Sequence, residues 1–192
     1  MPFLPSTYEK PVRNSKYFKA QEGDNKIRVL SSAITGWLDW ENKKPIRTKE
    51  KPETSVDPKN PAKHFWAFVI WNYQENKLEI AEVTQAGIQD AIFSLHNSEW
   101  GAPTDYDLII NRIGKDLDTK YTVMPTPKTE TSPDILTAYQ QAKINLEALY
   151  TGDDPFGEQT SHSDQDIARQ NEAPQPVMEG SKTETPMPTP IF

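Results

Sequence analysis

Hydrophobic and polar residues alternate in several short segments of the chain, as they do in strands that bury one face. In residues 25–30 the alternation places Ile27 and Val29 on one face and Lys26 and Arg28 on the other. We therefore predict a strand whose Ile27 and Val29 side chains lie in the core, with both basic side chains in solvent.

The strongest strand pattern covers residues 63–73, and a short polar turn joins it to a second alternating segment at residues 77–83. Two strands joined in this way form a β-hairpin. If Tyr73 pairs with Leu78, the face of the hairpin that carries these two side chains is predicted to lie in the core. A slip of one residue in this pairing would exchange the buried and exposed faces. With the first pairing, the opposite face presents His64, Trp66 and Phe68.

Two helices are predicted from apolar positions that recur every three to four residues. The first covers residues 85–97 and has Thr84 as its N-cap. Its apolar stripe consists of Ile88, Ala91, Ile92 and Leu95. The second helix covers residues 132–151 and opens with a Ser-Pro pair, and its apolar side can pack on the same domain or on a neighbouring molecule. Between the helices, residues 107–113 and 120–124 form a second predicted hairpin.

The predicted elements follow one another as strand, long loop, strand, strand, helix, strand and strand. The first strand resumes at residues 35–40 after a bend, and the long loop covers residues 42–62. This is the order of the OB-fold, a small Greek-key barrel. We therefore predict a mainly β protein with a five-stranded OB-fold barrel and a helix between its third and fourth strands.

Three further segments flank the barrel, which is predicted to span residues 24–128. Residues 1–23 form a basic and aromatic N-terminal arm, and residues 132–151 form the C-terminal helix. Residues 152–192 are rich in Pro, Gln, Ser, Thr and Glu and cannot bury a core, so we expect a disordered acidic tail.

The net charge of −7 is distributed unevenly along the chain. Residues 151–192 carry −6 and residues 1–150 carry −1, whereas residues 1–63 alone carry +5. A basic N-terminal region of this kind permits nucleic-acid binding despite the negative net charge of the chain. Because the tail is opposite in charge to residues 1–63, we expect the tail to compete with DNA for the same basic groups.

Several classes of protein are disfavoured by what the sequence lacks. It contains no cysteine, which excludes disulfides and thiolate metal sites and fits a reducing cytoplasm. No apolar run reaches the roughly 18 residues that cross a bilayer. There is no phosphate-binding glycine loop, no Ser/His/Asp set and no metal-ligand spacing. We expect a cytoplasmic protein that is not an enzyme and uses no metal or cofactor.

The two loops through which an OB-fold contacts oligonucleotides are both basic in this sequence. Residues 42–62 hold six Lys or Arg residues, and Lys115 lies in the second loop. Basic side chains neutralise phosphates, and aromatic faces stack on bases of any sequence. The candidate phosphate-binding residues are Lys26, Arg28, Lys43, Lys44, Arg47, Lys49, Lys51, Lys63, Arg112 and Lys120. The candidate stacking residues are Trp37, Trp40, Trp66 and Phe68. Aromatic residues on strands are also frequent core residues, and that interpretation stays open for each of the four.

Segments at residues 17–31, 64–73, 78–85 and 112–125 resemble the core of the single-stranded DNA-binding proteins encoded by tailed phages. The first contains Tyr-Phe-Lys and then Gly-Asp-Asn-Lys-Ile-Arg-Val-Leu-Ser, and the second reads His-Phe-Trp-Ala-Phe-Val-Ile-Trp-Asn-Tyr. The resemblance implies cooperative coating of single strands during phage replication, recombination and repair in the host cytoplasm.

The resemblance also implies that the acidic tail recruits replication and recombination proteins. The tail residues to which it assigns this role are Asp153, Asp154, Pro190, Ile191 and Phe192. The tip departs from the family pattern, because the nearest acidic residue is Glu184. Some family members hold a structural zinc with cysteines, which this chain lacks.

The leading hypothesis is therefore sequence-independent binding of single-stranded DNA. An alternative of a different class is an OB-fold module that binds proteins through its aromatic face and tail and does not bind nucleic acid. A small phage enzyme or nuclease inhibitor is a third hypothesis. The aspartates that could suggest nuclease chemistry, at positions 105, 107, 116 and 118, lie at a strand start and a hairpin turn, where Asp is common.

Overall fold

The computed structural model describes residues 15–157 and shows a mainly β protein with few helices. The strands are β1 (Gly23–Val29), β2 (Ile34–Glu41), β3 (Lys44–Thr48), β4 (Lys63–Asn72), β5 (Lys77–Val83), β6 (Asp107–Ile113) and β7 (Lys120–Pro125). The helices are α1 (Ala86–His96), α2 (Pro133–Ala142) and α3 (Ala148–Thr151). The predictions for residues 1–14 and for the tail from residue 158 to Phe192, including Pro190 and Ile191, lie outside the described residues.

All seven strands belong to one antiparallel sheet, in the order β3-β2-β4-β1-β6-β7, with β5 on the other edge of β4. The first half of β4 pairs with β2 and its second half pairs with β1. Within residues 15–157 no ladder joins β5 to β7, so the sheet is not closed. Residues 16–18 cover part of the free edge of β5, where the Phe18 N–H donates to the Ile80 carbonyl at 2.9 Å.

The sheet has more strands than the five that the sequence predicts. The predicted first strand is divided into β1 and β2 by the bend at residues 30–33, and β3 lies within the segment predicted as a loop. The chain reverses between β2 and β3 at Asn42 and Lys43, whose φ angles are 49° and 64°. Two successive positive φ angles match the twist of a tight hairpin, and an Asn tolerates this conformation, so five residues of the lysine-rich loop become a strand.

The hairpin of β4 and β5 is confirmed, but its register differs from the prediction by two residues. Trp71 lies opposite Leu78, and Val69 lies opposite Ile80. A shift of two keeps every side chain on its expected face, because side chains alternate with a period of two. The interpretation of the faces is nevertheless wrong, since both faces of β4 are buried.

Two hydrophobic cores lie on opposite sides of β4. The first core contains Ile27, Val29, Phe68, Ile70, Leu108 and Ile110, together with Ile88 and Ile92 of α1. The second core contains Leu38, Phe65, Ala67, Val69, Ile80, Leu146 and Leu149. The predicted inward positions of Ile27 and Val29 are therefore confirmed. The prediction that Arg28 points into solvent is wrong, since the residue is 1% exposed.

The chain after β7 covers the second core, so this segment packs on its own domain. The predicted continuous helix is interrupted at Lys143, which has a φ of 45° and ends α2. The short helix α3 follows and places Leu149 against Phe65 and its neighbours. The helix predicted at residues 85–97 is confirmed as α1, although Gln85 rather than Thr84 is its N-cap.

Residues 49–62 remain a loop, and polar contacts tie it to the sheet. The carboxylate of Asp39, a buried residue of β2, accepts a hydrogen bond from the Val56 N–H at 2.8 Å. Within the loop, the Ser55 hydroxyl oxygen accepts another from the Ala62 N–H at 2.8 Å. In the part of the chain that the structure describes, no helix has the length and apolar character required to cross a membrane.

Candidate nucleic-acid interface

A groove of about 740 Å³ lies at the opening between β5 and the hairpin of β6 and β7. Residues 15–21 form one wall, and the hairpin of β2 and β3 contributes side chains at its rim. We call this feature the edge groove. Its basic lining residues are Lys19, Arg47 and Arg112. Its aromatic lining residues are Tyr17, Phe18, Trp40 and Tyr121.

The basic residues of the edge groove differ in their exposure and in whether they form an ion pair. Lys19 is exposed and Arg112 is half-buried, and neither takes part in an ion pair within residues 15–157. Arg47 is bound by a carboxylate, since its Nε donates to Glu82 Oε2 at 2.6 Å. Glu82 lies on β5 and also lines the groove. Three cations and one carboxylate leave the groove with a positive charge that suits phosphate.

The aromatic residues of the groove divide into an exposed ring and three rings that support the walls. Trp40 is 47% exposed at the end of β2, which leaves part of its indole accessible to a ligand. Phe18 and Tyr121 are half-buried against the first core, and Tyr17 packs against the second. Burial raises the pKa of Tyr17, and the nearby Glu82 carboxylate adds to this while Arg47 opposes it. Trp40 is therefore the stacking candidate that the geometry favours.

The remaining lysines of the hairpin and loop are exposed, but two of them are engaged within the protein. Lys49 donates to Glu147 over 2.8 Å, and this hydrogen bond raises the pKa of Lys49. Lys51 lies 5.1 Å from the centre of the Trp37 ring, which packs edge-on against His64. Lys43, Lys44 and Lys63 take part in no ion pair within the described part of the chain.

Five other predicted binding residues do not line the edge groove. Arg28 is buried, and its guanidinium contacts the Asp107 carboxylate. Phe68 is 3% exposed in the first core, so the prediction that it faces a ligand is wrong. Trp66 packs partly against the same core. The other two, Lys26 and Lys120, are exposed.

Lys26 and the two acidic residues assigned to the tail are engaged on the folded domain. The Lys26 Nζ lies 2.9 Å from the Asp107 carboxylate and 4.7 Å from the centre of the Tyr73 ring. Asp154 accepts a hydrogen bond from Lys16 at 2.9 Å, and this bond lowers the pKa of Asp154. Asp153 beside it is exposed and accepts a hydrogen bond from the Thr151 hydroxyl at 2.7 Å.

Among the basic and aromatic residues of the edge groove, the sequence prediction missed four, namely Tyr17, Phe18, Lys19 and Tyr121. The first three form an aromatic-aromatic-basic run within the segment predicted as an arm, and that run was the available signal. Tyr121 carried no comparable signal, because an aromatic residue in an alternating strand fits a core position equally well.

A second, mainly apolar pocket of about 360 Å³ lies beside the bend between β1 and β2. Trp66, Phe68 and Ile92 line it, and Phe93 is 58% exposed at its edge. It contains no basic residue other than His96, so its chemistry does not suit a phosphate chain. Within residues 15–157, no group of three or more His, Asp or Glu residues is placed to hold a metal ion.

Comparisons with known proteins return no match, whether with family models, with curated proteins or with solved structures.

Proposed function

We propose that the sheet is an open variant of the OB-fold, in which β1 and β2 together act as the first strand and β3 is an addition to the loop that follows. The pairing of the bent first strand with both β4 and β6 supports this proposal. So does the position of α1 between β5 and β6 in the chain. The missing ladder between β5 and β7 leaves the edge groove at the point where an OB-fold barrel would close.

We propose that the protein is not an enzyme and binds single-stranded DNA without sequence preference in the edge groove. The observation that carries this proposal is the joint presence of Lys19, Arg47 and Arg112 with the exposed Trp40. Cations spaced along a groove neutralise consecutive phosphates, and an exposed indole stacks on an unpaired base. Duplex DNA offers no free base face, so binding depends on the strand being single.

The resemblance of the sequence to phage single-stranded DNA-binding proteins supports a role in replication, recombination and repair in an infected cell. In that role the acidic tail would bind replication and recombination proteins, and several copies would coat one strand.

Titration of the protein with a dT oligonucleotide, followed by tryptophan fluorescence at two salt concentrations, tests the proposal. We expect quenching that weakens as salt rises, because counterions compete for the cations of the groove. Duplex DNA of the same length should cause little change. Absence of binding at low salt, for the full chain and for a variant ending at residue 157, would contradict the proposal and favour the protein-interaction module.

Substitution of Trp40 tests whether the edge groove is the binding site. Trp40→Phe should remove most of the quenching, and Trp40→Ala should weaken binding by about 1–3 kcal/mol through the lost stacking. Trp100→Phe is the matched control, because Trp100 packs against Tyr106 with ring centres 5.5 Å apart and does not line the groove. Equal quenching in the two Phe variants would place the binding site elsewhere.

A further inference from the structure

Arg47 combines a largely buried side chain with unused hydrogen-bonding capacity. Its side chain is 9% exposed, and its Nε donates to Glu82. Within residues 15–157, neither Nη nitrogen donates to a protein acceptor. No buried side-chain nitrogen or oxygen of these residues is both sealed from solvent and without a partner. The unpaired Nη groups therefore contact solvent, and Arg47 is one of the residues that line the edge groove.

A guanidinium in this state is suited to one class of ligand. Charged donors that lose water without gaining an acceptor are costly, so the Nη groups require water or an anion. The planar fork of a guanidinium matches two oxygens of one phosphate. Because Glu82 accepts a hydrogen bond from the Nε, the plane of the guanidinium is fixed in orientation while both Nη groups stay available.

We propose that Arg47 and Glu82 together form one phosphodiester subsite of the edge groove, with Glu82 as a positioning residue. Arg47 contacts the phosphate through its Nη groups, and Glu82 holds the guanidinium in the orientation that this contact needs. The inference rests on the proposed function, since the phosphate belongs to the bound single strand.

If Glu82 positions Arg47, removal of Glu82 changes the DNA affinity in the opposite direction from the one that its charge alone predicts. A carboxylate beside a phosphate chain repels it, so its removal should tighten binding if charge were the only effect. If Glu82 positions Arg47, its removal lets the guanidinium rotate and the two-point contact is lost. The sign of the change in affinity therefore distinguishes the two descriptions.

The test measures the affinity of the full chain for a labelled dT oligonucleotide over a series of salt concentrations. Glu82→Ala should weaken binding about three- to tenfold, since hydrogen bonds between charged groups are worth up to a few kcal/mol. It should also lower the slope of log affinity against log salt. Arg47→Ala should lower that slope by about 0.7, the value for one phosphate contact with a single strand. Arg47→Lys should restore only part of the affinity, because an ammonium lacks the fork.

The double variant gives the sharpest outcome. In the Arg47→Ala background, Glu82→Ala should tighten binding, because the carboxylate then has no partner and only repels the strand. A matched control is Glu41→Ala, which removes an exposed acid of the β2–β3 hairpin that takes part in no ion pair within residues 15–157. Charge alone predicts that this variant binds more tightly.

The proposal is wrong if Glu82→Ala tightens binding as Glu41→Ala does, or if it weakens binding without changing the salt slope. If Glu82→Ala does not fold, as judged by thermal unfolding, Glu82→Gln replaces it, because the amide oxygen keeps an acceptor for the Nε. The hydrogen bond to this neutral amide is weaker than the one to a carboxylate, so Gln holds the guanidinium less firmly. The Gln variant should therefore lie between the wild type and Arg47→Ala in both affinity and slope, and wild-type values would overturn the inference. A wild-type chain that does not bind dT would instead refute the proposed function, and the subsite with it.

Discussion

Arg28 carries a full charge and is nevertheless 1% exposed, beneath the residues that follow β7. Its guanidinium contacts the Asp107 carboxylate and donates to the Thr129 carbonyl at 2.8 Å. Burial acts to raise the pKa of Asp107, but hydrogen bonds from Arg28, Lys26 and Tyr73 outweigh it, so the pKa is lowered. The pair is structural, since it ties the segment after β7 to β1 and β6.

Substitution of Arg28 should therefore destabilise the protein rather than reduce affinity selectively. Arg28→Ala leaves a buried carboxylate without its main partner, and we expect a loss of about 3–5 kcal/mol in the free energy of unfolding. Lys26→Ala is the matched control on the same carboxylate. The Lys26 side chain is 47% exposed, so its loss should cost about 0–1 kcal/mol. Urea unfolding measures both, and equal losses would contradict the structural assignment of Arg28.

Of the residues that the sequence predicts to bind DNA, Trp40, Arg47 and Arg112 line the edge groove, whereas Phe68 and Arg28 are buried. Alternation assigns residues to two faces, but it does not state what covers each face. Here the segment after β7 covers one face and α1 covers the other. For this reason Phe68 became a core residue and Arg28 became a buried ion-pair partner.

At the scale of elements, the chain after β7 closes the second core. Leu146 and Leu149 pack against Phe65 and Val69, and the Tyr150 hydroxyl donates to the Thr35 carbonyl at 2.7 Å. This segment covers the outer face of β4 and β5, which an OB-fold often uses for ligands. A ligand therefore has no access to this face where the segment packs on it.

The contribution of this segment can be measured with two leucines that differ in burial. Leu149→Ala should lower the free energy of unfolding by about 2–5 kcal/mol, because Leu149 is 2% exposed and its truncation leaves a cavity. Leu136→Ala on α2 should change it by about 0.5 kcal/mol or less, because Leu136 is 42% exposed. Thermal or urea unfolding checks both values. Similar small effects would show that the segment does not contribute to the core.

At the scale of the whole chain, the residues that follow the described part are acidic. Residues 158–192 contain six acidic and two basic side chains, whereas the edge groove is positive. A segment tethered to its own binding site has a high effective concentration, so we expect these acidic residues to compete with DNA without needing a defined contact surface.

Removal of residues 158–192 should therefore tighten binding to a dT oligonucleotide by about three- to tenfold at low salt, and by less at high salt, where the charges are screened. Ending the chain at residue 157 retains the ion pair between Lys16 and Asp154. A variant of full length whose six acidic residues are replaced by Gln or Asn should behave like the shortened chain. If it behaves like the wild type, charge is not the cause.

The sequence by itself determined the order of α1 and the strands other than β3, the alternation that gives each strand two faces, and the uneven distribution of charge. These properties are local, since they depend on side-chain periodicity and composition over short stretches. Only the tertiary structure decided which faces are covered and that residues 17–19 join Trp40, Arg47 and Arg112 around one groove. These properties depend on contacts between residues that are far apart in the chain, and no local pattern encodes such distances.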